Sequence, residues 1–260
     1  MKTIAICNLK GGVGKTITSI NLAYLLATNY GKRVLICDND QQGNTSQFFG
    51  RYDYDHLGMS EVMERTYEEP GAVIQHTSEP NIDIVTANLS LARTERLVQS
   101  EVGGFPQQMR LKAFLDKVAG GYDYCIIDNA PSLGMCVINA LAACDYIVIP
   151  AKNDKFTFEG IDSLLEQVDE MREYINPKLT VLGTLVTNYR HNVSNEEGEA
   201  WLRKAKQYHV FDTHIRYTDK VDESTFVATP IVIHSPRCGA SKDYQAFAAE
   251  VLAKIEGAKA

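Results

Sequence analysis

A chain of 260 residues, 45% of them hydrophobic and 23% charged, has an ordinary globular composition and room for one large α/β domain or two small ones. Its formal net charge of −7 excludes a surface that attracts nucleic acid all over, so any DNA contact must come from a local basic patch. No run approaches the ~18 apolar residues of a membrane span, Met1-Lys2-Thr3 is expected to lead directly into a strand without a cleavable h-region, and six cysteines without a C-x-x-C pair fit a reduced, cytoplasmic protein.

The run Thr3–Cys7 predicts a first strand, and Ile17 to about Tyr30 predicts a long apolar helix. Between them lies Lys10-Gly11-Gly12-Val13-Gly14-Lys15-Thr16. Strand, glycine-rich turn, then Gly-Lys-Thr opening a helix is the arrangement that cradles nucleotide phosphates. Glycines let the backbone approach closely, so the N–H groups from Gly11 through Val13 to Ile17 and the positive helix end can point at the anion. Lys15 would reach the β- and γ-phosphates, and the Thr16 hydroxyl would hold Mg²⁺. The strict pattern G-x-x-x-x-G-K-S/T calls for glycine at position 9, where Leu9 stands beside a second lysine, Lys10.

Arg33–Cys37 predicts the second strand and delivers Asp38 and Asp40 at its carboxyl end. Alone, these carboxylates read equally as turn caps. Beside Lys15 and Thr16 they can serve an Mg²⁺–nucleotide complex. Residues 50–80 are polar and aromatic, with short helices expected around Leu57–Arg65 and Gly71–Gln75, and their tyrosines read as surface packing rather than base-stacking groups. Asn81–Thr86 predicts a strand, followed by helices at about Leu89–Gln99 and Gln107–Val118. Tyr122–Ile127 is a further strand that ends in Asp128, the arrangement in which a carboxylate contacts the Mg²⁺ shell through water.

Tyr146–Pro150 is another continuous apolar strand, and Phe158, Ile161, Leu165, Val168 and Met171 then recur at helical spacing. Leu179–Thr187 predicts the last strand and ends at Asn188, an ordinary turn former on its own. From Asn195 to Lys220 the chain is mixed and more basic, which suits either a solvated helix face or an anion-binding patch. Tyr244, Phe247, Ala248, Val251, Leu252 and Ile255 form the stripe of a closing helix that ends at Gly257-Ala258-Lys259-Ala260. Strands alternating with helices throughout imply a single doubly wound, mostly parallel sheet with helices on both faces, one domain over residues 1–260.

Three segments together resemble the ParA/Soj-type partition ATPases, relatives of MinD and of the nitrogenase iron protein. Residues 10–16 resemble that family's deviant Walker A motif. Residues 38–44 resemble its switch I, D-x-D-P-Q-G-N, with Gln41 in place of proline, and residues 128–134 resemble its switch II, D-x-x-P-S-L-G. The resemblance covers nearly the whole chain and implies an ATPase of the P-loop class using ATP and Mg²⁺. Lys10 would cross a dimer interface to the other subunit's nucleotide, making it catalytic together with Lys15 and Asp40. Asp40 would position the attacking water, and Thr16, Asp38 and Asp128 would organise the metal.

By the same resemblance Asn188 reads the adenine edge and Pro230 packs against the base. Arg216 and Lys220 match the family's DNA-holding region, though the surrounding residues depart from it considerably. The implied partners are a second copy in the presence of ATP, a ParB-like centromere-binding protein and nonspecific DNA, which would make the protein nucleoid-associated. No membrane-binding helix of the MinD type is expected, and Cys136 reads as a helix residue rather than a ligand of the iron-protein kind. The principal alternative is an ATP-dependent metabolic synthetase of the dethiobiotin-synthetase type; a regulator that binds nucleotide without hydrolysing it is another.

Overall fold

The computed structural model describes residues 1–257; the last three residues of the expected closing helix, 258–260, lie outside the described residues. Seven strands form one sheet: β1 (Lys2–Ile6), β2 (Val34–Asn39), β3 (Gln75–His76), β4 (Ile82–Val85), β5 (Tyr124–Asn129), β6 (Tyr146–Ala151) and β7 (Thr180–Val186). Their order across the sheet is β3-β4-β2-β5-β1-β6-β7. All neighbours pair in parallel except β3 with β4. The mostly parallel, doubly covered sheet expected from the alternation of elements is therefore present.

Continuous apolar strands arise because both faces of the sheet are buried. Successive side chains point to opposite faces. Ala5, Leu35, Cys37, Cys125, Ile127, Ile147 and Ile149 enter one core. That core is covered by α3 (Met59–Glu64), α4 (Ser90–Ser100), α5 (Arg110–Val118), α6 (Met135–Ala143) and α7 (Lys155–Tyr174). Ile4, Ile6, Val34, Ile36, Ile126 and Val148 enter the other, covered chiefly by α1 (Lys15–Thr28) and α11 (Gly239–Gly257). Eleven of the residues of α1 are buried, because it is sandwiched between the sheet and α11. A helix enclosed in this way is hydrophobic nearly all round instead of amphipathic.

Several elements depart from expectation. The helix expected at Gly71–Gln75 is a 3₁₀ turn over Pro70–Val73, and Gln75 already pairs with Ile84 as the start of β3. A short helix, α2 (Asn44–Phe48), follows the first acidic loop and is anchored by Phe48 and Phe49 in the second core. The basic region contains α8 (Val193–Lys204) and α9 (Asp219–Phe226), with the one-turn α10 (Ile231–His234) after them. The segment before α9 shields the edge strand β7: the Phe211 N–H donates to the Thr184 carbonyl at 3.0 Å and the Ile215 N–H to Val186 at 2.8 Å. Cys136 lies in α6, buried. No helix among the described residues is long and apolar enough to cross a membrane.

Candidate functional site

The parallel strands β1, β2, β5 and β6 bring their carboxyl ends to one edge, where ligands of open α/β sheets bind. The loop between β1 and α1 lies over that edge and is tied down on both sides. Asn8 donates to the Pro150 carbonyl at 2.8 Å and accepts from the Lys10 N–H at 2.9 Å. Thr187 Oγ1 donates to the Val13 carbonyl at 2.8 Å. Gly12 and Gly14 have φ of 70° and 87°, a left-handed backbone that a side chain would strain, and Gly14 caps α1. Leu9 packs against the first core, so the substitution of the motif's first glycine does not crowd the loop.

The loop forms one wall of a cleft of about 770 Å³, lined by Gly11, Gly12, Gly14, Lys15, Thr16 and Ile17 among others. Val13 is the exception in this stretch, pointing into the interior at 1% exposure. Lys15 is almost buried and its Nζ donates to the Lys10 carbonyl at 3.0 Å. Burial lowers its pKa, opposed by the charges of Asp128 and Asp40. Lys10 itself is exposed on the outer rim of the loop.

The three aspartates separate into different environments. Asp40 lines the cleft and accepts from the Gln42 N–H at 3.0 Å. Asp128 is buried behind the loop, accepting from Ser19 Oγ at 3.0 Å, Thr45 Oγ1 at 2.7 Å and the Thr16 hydroxyl. Asp38 is its direct neighbour on the adjacent strand. Its Oδ2 accepts from the Ser46 N–H at 2.8 Å and Oγ at 2.7 Å, which fixes α2. Asp38 thus stands beneath the cleft, and its hold on a metal would run through Asp128 and Thr16. No group of three or more His, Cys, Asp or Glu side chains able to hold a metal alone occurs among the described residues. The donor set fits Mg²⁺, which takes one or two carboxylates with substrate oxygens and water.

Burial, together with the charge of Asp128, pushes the Asp38 carboxyl up to about 8. A carboxyl raised in the fold contributes stability that is fully present below its unfolded pKa and is lost as pH rises through the folded one, at ~1.4 kcal/mol per pH unit. Asp38→Asn, which keeps an acceptor for Ser46, should therefore raise the melting temperature of the magnesium-free, nucleotide-free chain, and by more at pH 8 than at pH 5. Equal shifts at the two pH values in thermal unfolding would show that the charge is not what destabilises this position.

The other predicted residues distribute unevenly. Asn188 is exposed at the cleft with φ 53°, a left-handed conformation that asparagine tolerates better than most residues. Pro230 is not in the cleft wall; it caps α10, whose first N–H donates to Asn21 Oδ1 of α1 at 3.0 Å. The far wall is formed instead by Val221, Asp222, Thr225, Phe226 and Ala228, residues that carry no motif. Arg216 lies apart, paired with Asp243 at 2.7 Å, and Lys220 is paired with Glu223 at 2.7 Å. Asn8, Ser19, Thr45, Ser46 and Thr187, which hold the loop and the carboxylates, have no sequence signal beyond lying next to strand ends or in the first helical turns.

Comparison with known proteins gives this geometry a family. The AAA domain family model matches residues 1–181. The chain is 35% identical to the chromosome-partitioning ATPase Soj of Thermus thermophilus, covering 99% of this chain and 98% of that one. It is 31% identical to the chromosome partitioning protein ParA of Caulobacter vibrioides, covering 98% and 95%. Among solved structures, cobyrinic acid a,c-diamide synthase from Mycobacterium smegmatis with bound ADP and magnesium superposes with a TM-score of 0.83 at 27% identity, over 98% of this chain and 95% of that one. The likeness to Soj and ParA covers nearly the whole of both chains, and the chain belongs to the Soj/ParA family of chromosome-partitioning ATPases.

Proposed function

We propose that this chain is an ATP-dependent dimerisation switch of the DNA-partition type, hydrolysing ATP slowly alone and faster with a ParB-like partner. The observation that carries the reading is the division of labour in the loop: Lys15 is almost buried beside Asp40 at the cleft, while Lys10 stands exposed on the rim, where a second subunit could use it. Phosphoryl transfer depends mostly on positioning and charge stabilisation, so a cation added on dimerisation can supply much of the rate. Bound Mg²⁺, held by Thr16 with Asp128 behind it, would neutralise charge on the phosphates. The loop N–H groups and Lys15 bind the triphosphate, Asp40 orients water, and Asn188 faces the base.

DNA would be held nonspecifically by the ATP dimer. At Arg216 and Lys220 it would have to compete with Asp243 and Glu223, so the contact would be sensitive to salt. The protein would act in the cytoplasm, on the nucleoid, as one domain over its whole length.

The test is gel filtration with light scattering in ATP, ADP or no nucleotide, with and without nonspecific duplex DNA. Dimers should form only with ATP, and only they should co-elute with DNA. Lys10→Ala should keep nucleotide binding by the monomer within about threefold while abolishing the ATP dimer. Unchanged dimerisation by that variant counts against the exchanged-lysine model. The likeness to cobyrinic acid a,c-diamide synthase supports a second reading, a metabolic ATP-dependent synthetase. It predicts a monomer or constitutive oligomer that responds to neither DNA nor partner.

A further inference from the structure

The cleft contains a cation that neither the glycine-loop motif nor the family resemblance assigns. Lys152 directly follows β6, which lies beside β1 in the sheet, so it emerges next to the start of the loop. It lines the cleft with Gly11, Gly12, Lys15 and Thr16. Its Nζ lies 4.0 Å from where a Cβ on Gly12 would stand. The backbone that carries it is fixed: the Ala151 carbonyl accepts from the Thr187 N–H at 2.8 Å, and the Lys152 carbonyl accepts from the Asp154 N–H at 2.9 Å. Among the described residues no acidic side chain forms an ion pair with it.

Two ammonium groups facing one partly desolvated cleft repel each other unless an anion lies between them. Lys15 approaches from the helix end, where the first phosphates are bound. Lys152 enters the same cleft from the end of β6, with its Nζ beside Gly12 in the early part of the loop. We infer that Lys152 is a third phosphate-binding cation, holding the terminal phosphate of a nucleoside triphosphate from within the same subunit. This rests on the reading of the cleft as an ATP site. It deepens that reading, because part of the charge stabilisation would then be present before dimerisation, and ATP would be distinguished from ADP in the monomer.

The experiment titrates the full chain with Mg²⁺ and either a nonhydrolysable ATP analogue or ADP, by calorimetry at concentrations where the chain is monomeric. Lys152→Met should weaken the ATP analogue by about tenfold or more, the effect of one charge-assisted hydrogen bond, and ADP by less than about threefold. Lys152→Arg should restore most of the loss, and the melting temperature without nucleotide should be the same in all three chains. Equal affinity of Lys152→Met and wild type for the ATP analogue overturns the inference, as does an equal loss for both nucleotides. A wild-type chain that binds neither nucleotide overturns the ATP-site reading, and this inference with it.

Discussion

Lys15→Gln should reduce ATP affinity by about a hundredfold or more while leaving the fold intact. The ammonium is nearly buried, and its Nζ donates to the Lys10 carbonyl at 3.0 Å, so it spans the loop proposed to receive the phosphates. A hydrogen bond to a charged group contributes ~1.5–3 kcal/mol, and a lysine over two phosphates makes more than one. The loss is greater than that of a single bond for a second reason. The charges of Asp128 and Asp40 act on Lys15, and without it they would face the anionic ligand uncompensated. Glutamine retains a donor for the Lys10 carbonyl and nearly the same length, so the melting temperature of the nucleotide-free chain should move little. Calorimetric titration with ATP and Mg²⁺ checks this, and an affinity within threefold of wild type would remove Lys15 from the site.

How much of this was legible in the sequence depended on whether the signal was local. The glycine-rich turn could be read because its glycines, its lysine and its flanking strand and helix lie within about one βα unit, and Leu9, at the place of the motif's first glycine, packs against the first core. The central strands were legible as unbroken apolar runs, because burial on two faces demands them. Strand order was not. Nothing local says that β5 inserts between β1 and β2, and it is that insertion which buries Asp38 in mid-sheet and sets it against Asp128, the two causes of its raised pKa.

The helix α2 was hidden in a polar stretch because its stability comes from Phe48 and Phe49 in the distant core and from Ser46 on Asp38. Propensity alone is a weak guide where tertiary contacts decide. Pro230 shows the limit of carrying a motif over by position. The proline caps α10, while the cleft wall is built from α9 and from Ala228 at φ 49°. Lys152 was unreadable for a related reason: one lysine after a strand acquires meaning only when the loop folds over the same sheet edge.

Asp40→Ala should lower ATP turnover by about 10²–10⁴-fold without weakening ATP binding, the range by which a positioned acid–base group contributes. Of the three acidic residues assigned to the site, Asp40 alone lines the cleft; Asp38 and Asp128 have their carboxylates occupied by Ser46 and by Ser19, Thr45 and Thr16. Asp40 is held by one main-chain N–H, from Gln42 at 3.0 Å, which leaves acceptor capacity for a water. Its removal takes away a negative charge near the phosphates, so ATP affinity should stay the same or increase. In the dimerisation model the consequence is structural as well as kinetic: the ATP dimer has no route back to monomer, and it should persist in gel filtration long after the wild type has dissociated. The decisive comparison is Asp40→Ala with Asp38→Ala. Removing Asp38 frees Ser46 and loosens α2, so it should lower the melting temperature together with the rate. Asp40→Ala should lower the rate alone. Phosphate release by Asp40→Ala at the wild-type rate, with or without partner, would assign the attacking water to another group.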